Sequence, residues 1–146
     1  MRVLVMIKGR PEDEAKAEPT PAMFEAMNAY NQQLVEAGVM LGGDGLRPSS
    51  DGAQVVFEGG RTSVVDGPFT EAKEIIAGYW IWEVRSLEEA LEWARRCPTD
   101  PDGTWQALEV RPYYETEDFA DVLTPELREQ EQRLSEQIRA QHGDAR

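Results

Sequence analysis

Gly78-Tyr79-Trp80-Ile81-Trp82-Glu83-Val84-Arg85 runs directly into Ser86-Leu87-Glu88-Glu89-Ala90-Leu91-Glu92-Trp93-Ala94. The first half is a strand by composition, rich in aromatic and β-branched side chains that suit a pleated surface. The second half is a helix. Ser86 and Glu89 have capping-box spacing, and Leu87, Ala90, Leu91 and Ala94 are expected to form the buried stripe. Pro98 is expected to end it, followed by a turn-rich loop at 99–103 and a last core strand at 104–112.

A matching strand–helix pair opens the chain. Residues 2–8 are apolar on both pleat faces, with Val3, Val5 and Ile7 on one and Leu4 and Met6 on the other. That pattern belongs in the middle of a covered sheet. Residues 9–19 are charged, carry two prolines and read as a mobile loop. Thr20-Pro21 then caps and starts a helix with Met23, Met27, Tyr30 and Leu34 at helical spacing, widened by Phe24 and closed by Gly38. A strand fraying into a glycine-rich turn is expected at 39–47 and a loop at 48–52. Runs 53–58 and 61–65, joined by Gly59-Gly60, read as a β-hairpin. Residues 70–77 suit a short helical turn.

Without the hairpin the order is β-α-β-β-α-β plus a C-terminal helix, an α+β, ferredoxin-like arrangement with two helices on one face of the sheet. Trp80 and Trp82 cannot point the same way as Tyr79 and Ile81. We expect the indoles on the face away from the helices, where a second subunit related by a two-fold axis would cover them.

Composition narrows the function. The 146 residues include 15 Lys and Arg against 28 Asp and Glu, a formal charge of −13. Such a surface repels phosphate backbones and anionic lipid headgroups, so neither nucleic acid nor membrane is an expected partner. A single cysteine, Cys97, allows no internal disulfide and suits the cytoplasm. The one histidine, His142, lies near the C-terminus, so no metal site, cofactor motif or core imidazole is expected. The tail from Glu115 to Arg146 holds nine acids and four arginines, a net 4 − 9 = −5. Thr124-Pro125 opens its helix, whose apolar seam is Leu127, Leu134 and Ile138.

The stretch Val65-Asp66-Gly67-Pro68-Phe69-Thr70-Glu71-Ala72-Lys73-Glu74 resembles the signature of the YCII-related, or DGPF, domain family. The likeness continues through Ile76–Ile81, Ser86–Ala94, Leu108–Pro112, Met40–Leu46 and Leu123–Glu129. It implies a domain over 1–114 with an acidic extension over 115–146, in a dimeric α/β barrel whose two sheets pack face to face. Some relatives carry a His–Asp pair proposed as catalytic; this chain has no core histidine, so that pair is not carried over. Relatives also occur joined to sigma-factor-like regulators, which implies a link to signalling.

Five residues are candidate ligand contacts: Asp66, Lys73, Glu74, Arg111 and Asp44. Asp66-Gly67-Pro68-Phe69 is turn chemistry first, with Asp66 facing a pocket as its functional reading and Lys73 and Glu74 completing a polar cluster. Asp44, between Gly43 and Gly45, is a glycine turn or the mouth of the same cavity. Arg111 and Glu109 share a strand face, as do Glu83 and Arg85, and an internal Glu83–Arg111 ion pair is the simplest outcome. The sharper one is Arg111 clamping a small anion. Met23, Met27 and Tyr30 read as core, Cys97 as an inert buried thiol and His142 as solvated.

Three functional readings follow. The leading one is a homodimer that binds a small anionic or aromatic molecule, or a protein partner, in or beside the space between its sheets. The alternative is a cofactor-free monooxygenase or isomerase, with Asp66 or Asp44 as base, Arg111 as clamp and aromatic pocket walls. In the third, the acidic tail helix docks on a partner such as a regulator.

Overall fold

Val3, Val5 and Ile7 alternate with Leu4, Met6 and Lys8 along β1 (Arg2–Gly9), so this strand offers the sheet two different faces. β1 lies between β5 (Ile75–Glu83) and β6 (Trp105–Pro112), antiparallel to both, and β2 (Met40–Gly45) pairs with the outer side of β5. The order β2-β5-β1-β6, with α2 (Pro21–Glu36) and α3 (Leu87–Ala94) as the connecting helices, is the ferredoxin-like topology. The computed structural model describes residues 1–16, 18–98 and 103–143, so most of the loop expected at 99–103 lies outside the described residues. The chain divides into two compact units, Met1–Pro112 and Tyr113–Arg146.

The two tryptophans overturn one expectation. The register sets Trp82 opposite Val3 and Trp80 opposite Val5, on the face that Tyr30, Leu34 and Ala90 of the helices cover. Trp82 is 0% exposed and Trp80 4%. The rings of Tyr30 and Trp80 form a T-shaped pair with centroids 6.0 Å apart at 83°, and the Tyr30 hydroxyl donates to the Trp93 carbonyl at 2.8 Å. Alternation separates 80 and 82 from 79 and 81 without saying which pair the helices take. The indoles remove the most apolar area from water by lying beneath the helices.

Local elements follow the capping and turn residues with several differences. Thr20 Oγ1 accepts from Met23 N, and Gly38 leaves the helix at φ +69. Ser86 Oγ accepts from Glu89 N, but the Glu89 carboxylate takes the Arg85 amide and guanidinium instead of closing the box on Ser86. α3 ends at Ala94, short of Pro98, because turns at Arg96 and Cys97 intervene, and of its expected buried stripe Ala90 is enclosed while Leu87 and Leu91 are exposed. The segment expected as a mobile loop contains α1 (Pro11–Glu14), whose buried Asp13 accepts from Arg10 at 2.6 Å and Lys16 at 3.1 Å. Residues 70–77 hold only a turn before β5 begins at Ile75, since Ile75-Ile76 pair with β1. β3 (Ala53–Glu58) and β4 (Arg61–Asp66) form the separate hairpin, turned by Gly59 and Gly60 at φ +57 and +77. In the second unit, α4 (Pro125–His142) is capped by Thr124, pairs Glu129 with Arg133 at 2.8 Å and exposes Leu127, Leu134 and Ile138.

The face without helices has an apolar middle of Leu4, Met6, Tyr79 and Ile81. Its charges do not pair as expected. Glu83 accepts from the terminal amine of Met1 at 3.1 Å, and Arg111 is exposed opposite Leu4. The central cation is Lys8, 2.6 Å from Glu109 and 2.5 Å from Glu74. Strand register explains this: Met6 faces both Tyr79 and Glu109, so Lys8 lies one pleat along from Glu109 and reaches it diagonally.

The hydrogen bond from Lys8 holds the Glu109 carboxyl below its ordinary range, and Glu109 followed by Glu74 raises the Lys8 ammonium above its own. The stabilisation is therefore complete above the unfolded pKa of the carboxyl. It fades as pH falls through the lowered native value, and at the alkaline end as pH rises through the raised native value of Lys8. Lys8→Met is predicted to flatten the acid limb of the stability–pH profile from urea midpoints, and an unchanged slope would count against the pair. Trp82→Ala is predicted to cost about 3–5 kcal/mol in the same assay. A loss below about 1 kcal/mol would place the indole outside the core.

Candidate functional site

Met23 and Met27 stand one turn apart on α2, and a further turn brings Asn31 onto the same side. This side faces Trp80 across a cleft of about 330 Å³, which Ile7, Ala77, Phe24 and Trp105 also line. The glycine-rich β2 allows the close approach. A Cβ on Gly43 would lie 2.6 Å from the Tyr79 carbonyl and 2.8 Å from Cδ1 of Trp80. Side-chain polarity in the cleft comes from Asn31 and Thr104, and no Lys, Arg or His lines it among the described residues. Asn31 Oδ1 accepts from the Trp80 indole at 2.9 Å.

Asp44 borders this cleft, but its register partner is Tyr79. Directly opposed residues share a face, so register puts the Asp44 side chain with Tyr79 on the face without helices. Arg111 stands on β6 at the other edge of the sheet. It is three interstrand spacings from β2, roughly 14 Å. Glu74 joins Lys8, while Lys73 is exposed on the turn before β5. Asp66 ends β4 opposite Ala53 and is exposed. The five candidates are thus spread over the hairpin, the turn before β5 and both sheet edges, with Asp44 alone bordering the cleft.

The Asp66–Phe69 turn is knitted to Ser49. A Cβ on Gly67 would lie 1.7 Å from the Ser49 carbonyl, so no side chain fits there. Phe69 N donates to Ser49 Oγ at 3.2 Å, and Ser49 donates through N and Oγ to the Glu14 carboxylate, each at 2.6 Å. A second cleft of about 450 Å³ lies beside this turn. Its polar groups are engaged: Glu14 with Ser49, Arg47 with Asp51 at 2.9 Å, and Glu74 with Lys8. The open amide and aromatic walls are in the first cleft.

Burial pushes the Cys97 thiol up to about 11 and raises the Tyr30 hydroxyl, so neither supplies an anion near neutrality. Tyr30 is core, Met27 packs against the core as well as lining the cleft, and Met23 is a cleft wall. Asn31 and Lys8 are the site and face residues that sequence reading missed, while Phe24 was read only as widening the apolar stripe of α2. Asn31 left a signal, as a polar residue in line with Met23 and Met27. Alternation along the sequence sets Trp105 on the face of Ala107, Glu109 and Arg111, but a register shift between Lys8 and Gly9 brings it opposite Gly9 instead.

Residues 1–114 match the model of the YCII-related domain. An uncharacterised protein of Rhizobium meliloti is 36% identical over 95 residues, covering 65% of this chain and 76% of the relative. Among solved structures, the chain is similar to a 5-chloro-2-hydroxyhydroquinone dehydrochlorinase of Burkholderia phenoliruptrix in complex with 2,5-dihydroxybenzoquinone. That likeness has a TM-score of 0.43 at 18% identity, over 81% of this chain and 98% of the other. With the family model spanning every strand of the sheet and both helices that cover it, this chain belongs to the YCII-related domain family.

Proposed function

We propose that this YCII-related protein is a homodimer that binds a small, uncharged, largely apolar molecule in the cleft between α2 and Trp80. One observation carries the reading: a cleft of about 330 Å³ walled by Met23, Met27, Phe24, Trp80 and Trp105 with a single side-chain amide. That volume and lining fit a small-molecule pocket, in which apolar walls hold the ligand and one polar group orients it. The anionic ligand entertained from sequence loses support, because no cation lines the cleft among the described residues and the chain carries −13 overall.

The dimer rests on the other side of the sheet. Leu4, Met6, Tyr79 and Ile81 form an apolar strip flanked by Lys8, Glu109 and Arg111, and a two-fold axis would set like strips face to face. The enzymatic alternative has weaker support. An Asp44 base and an Arg111 clamp stand on opposite edge strands of one protomer, and Asp66 lies in the hairpin.

Titration of tryptophan fluorescence is expected to show saturable binding of 1-methylnaphthalene and none of 1-naphthoate. Met23→Glu should weaken the neutral probe at least tenfold, because it would bury a carboxylate in apolar surroundings. Tighter binding of the anion would overturn the assignment. Light scattering after size exclusion should give twice the chain mass for the native protein and the chain mass for Ile81→Arg. A monomeric native protein would remove the dimer and leave the cleft reading standing.

A further inference from the structure

We propose that Asn31 is the specificity-determining residue of this cleft, and that it selects ligands with a hydrogen-bond acceptor, such as a ketone oxygen, over ligands that lack one. The inference rests on the cleft being a binding site. An indole N–H can only donate. The atom of Asn31 that faces Trp80 Nε1 at 2.9 Å must therefore be the amide oxygen, and the Nδ2 group is the end left over. The Trp80 contact occupies Oδ1, and no hydrogen bond joins Nδ2 to another described residue. Asn31 lies in the cleft lining and is half-buried, so a ligand there meets two N–H donors of fixed identity.

The amide is also held in place. Trp80 is pinned by its T-shaped contact with Tyr30, centroids 6.0 Å apart, and by the close main chain of Gly43, where a Cβ would come within 2.8 Å of the indole ring. Asn31 itself sits on a helix whose next turn is anchored by the fully buried Leu34. A donor whose orientation is set before binding loses little freedom when the ligand arrives. Thr104 can both donate and accept, and so does not discriminate between acceptor and donor ligands as the Asn31 Nδ2 group does.

The test uses the full chain and two probes of similar shape: acetophenone, which has an acceptor oxygen, and cumene, which has none. In Asn31→Asp an oxygen still faces Trp80 but the donors are gone. The ratio of the acetophenone to the cumene dissociation constant should rise about five- to tenfold relative to the native protein. The new carboxylate affects both probes, so the ratio isolates the hydrogen bond. Asn31→Ala, which adds no charge, should shift the ratio the same way. In the native protein the side-chain amide resonance of Asn31 should move with acetophenone and not with cumene. Unchanged ratios in both variants, with both probes still bound, would overturn the role of Asn31 alone. Failure of both probes to bind the native protein would remove the cleft reading and this inference together.

Discussion

Two indoles under two helices set the terms for the rest of the molecule. Trp82 is fully enclosed and Trp80 nearly so, against Val3, Val5, Tyr30, Leu34 and Ala90. Rings of this size bury more area than any other side chain, so the sheet face that carries them becomes the face the helices must cover. Once that face is chosen, alternation assigns the sheet residues between the register shifts. Leu4, Met6, Lys8, Tyr79 and Ile81 go to the opposite side, and Lys8 meets Glu109 and Glu74 there.

The same choice makes the cleft. Trp80 is the indole nearer the glycine-rich end of β2, where Gly43 allows close approach. Beyond it, the first turns of α2 present Met23 and Met27 instead of a filled core. The Trp80 N–H needs an acceptor at the edge of the core, and Asn31 supplies one. A requirement of burial thereby fixes the orientation of a polar group beside open volume.

Much of the fold was legible because its local signals agree. Thr20-Pro21, Ser86 with Glu89, Gly59-Gly60 and Thr124-Pro125 each mark a boundary through backbone chemistry that operates within a few residues, and the elements begin or turn where they predict. The candidate site was less legible. Asp66, Lys73 and Arg111 are conspicuous in a linear reading because charge and turn chemistry are conspicuous, yet their surroundings are set by distant segments. Arg111 and Glu83 were expected to meet because they share a face, but the nearer partners of Glu109 and Glu83 are Lys8 and the chain's own amine. The short helix at Pro11–Glu14 was hidden because its hold is Asp13 between Arg10 and Lys16, an arrangement of charges with no apolar period.

By itself, the sequence determined the four strands of the sheet, the two helices that cover it, the tail helix, the β-α-β-β-α-β order, the hairpin insert and the alternation of residues within each regular strand. These follow from rules that act over neighbouring residues. Only the tertiary structure decided which set faces the helices, which cation meets Glu109, and that Asn31 turns its amide nitrogen away from Trp80. Those outcomes depend on register between strands and on contacts between residues far apart in the chain, such as Asn31 with Trp80 and Lys8 with Glu109. Energies of that kind are set by packing across the whole sheet, and no window of the chain contains them.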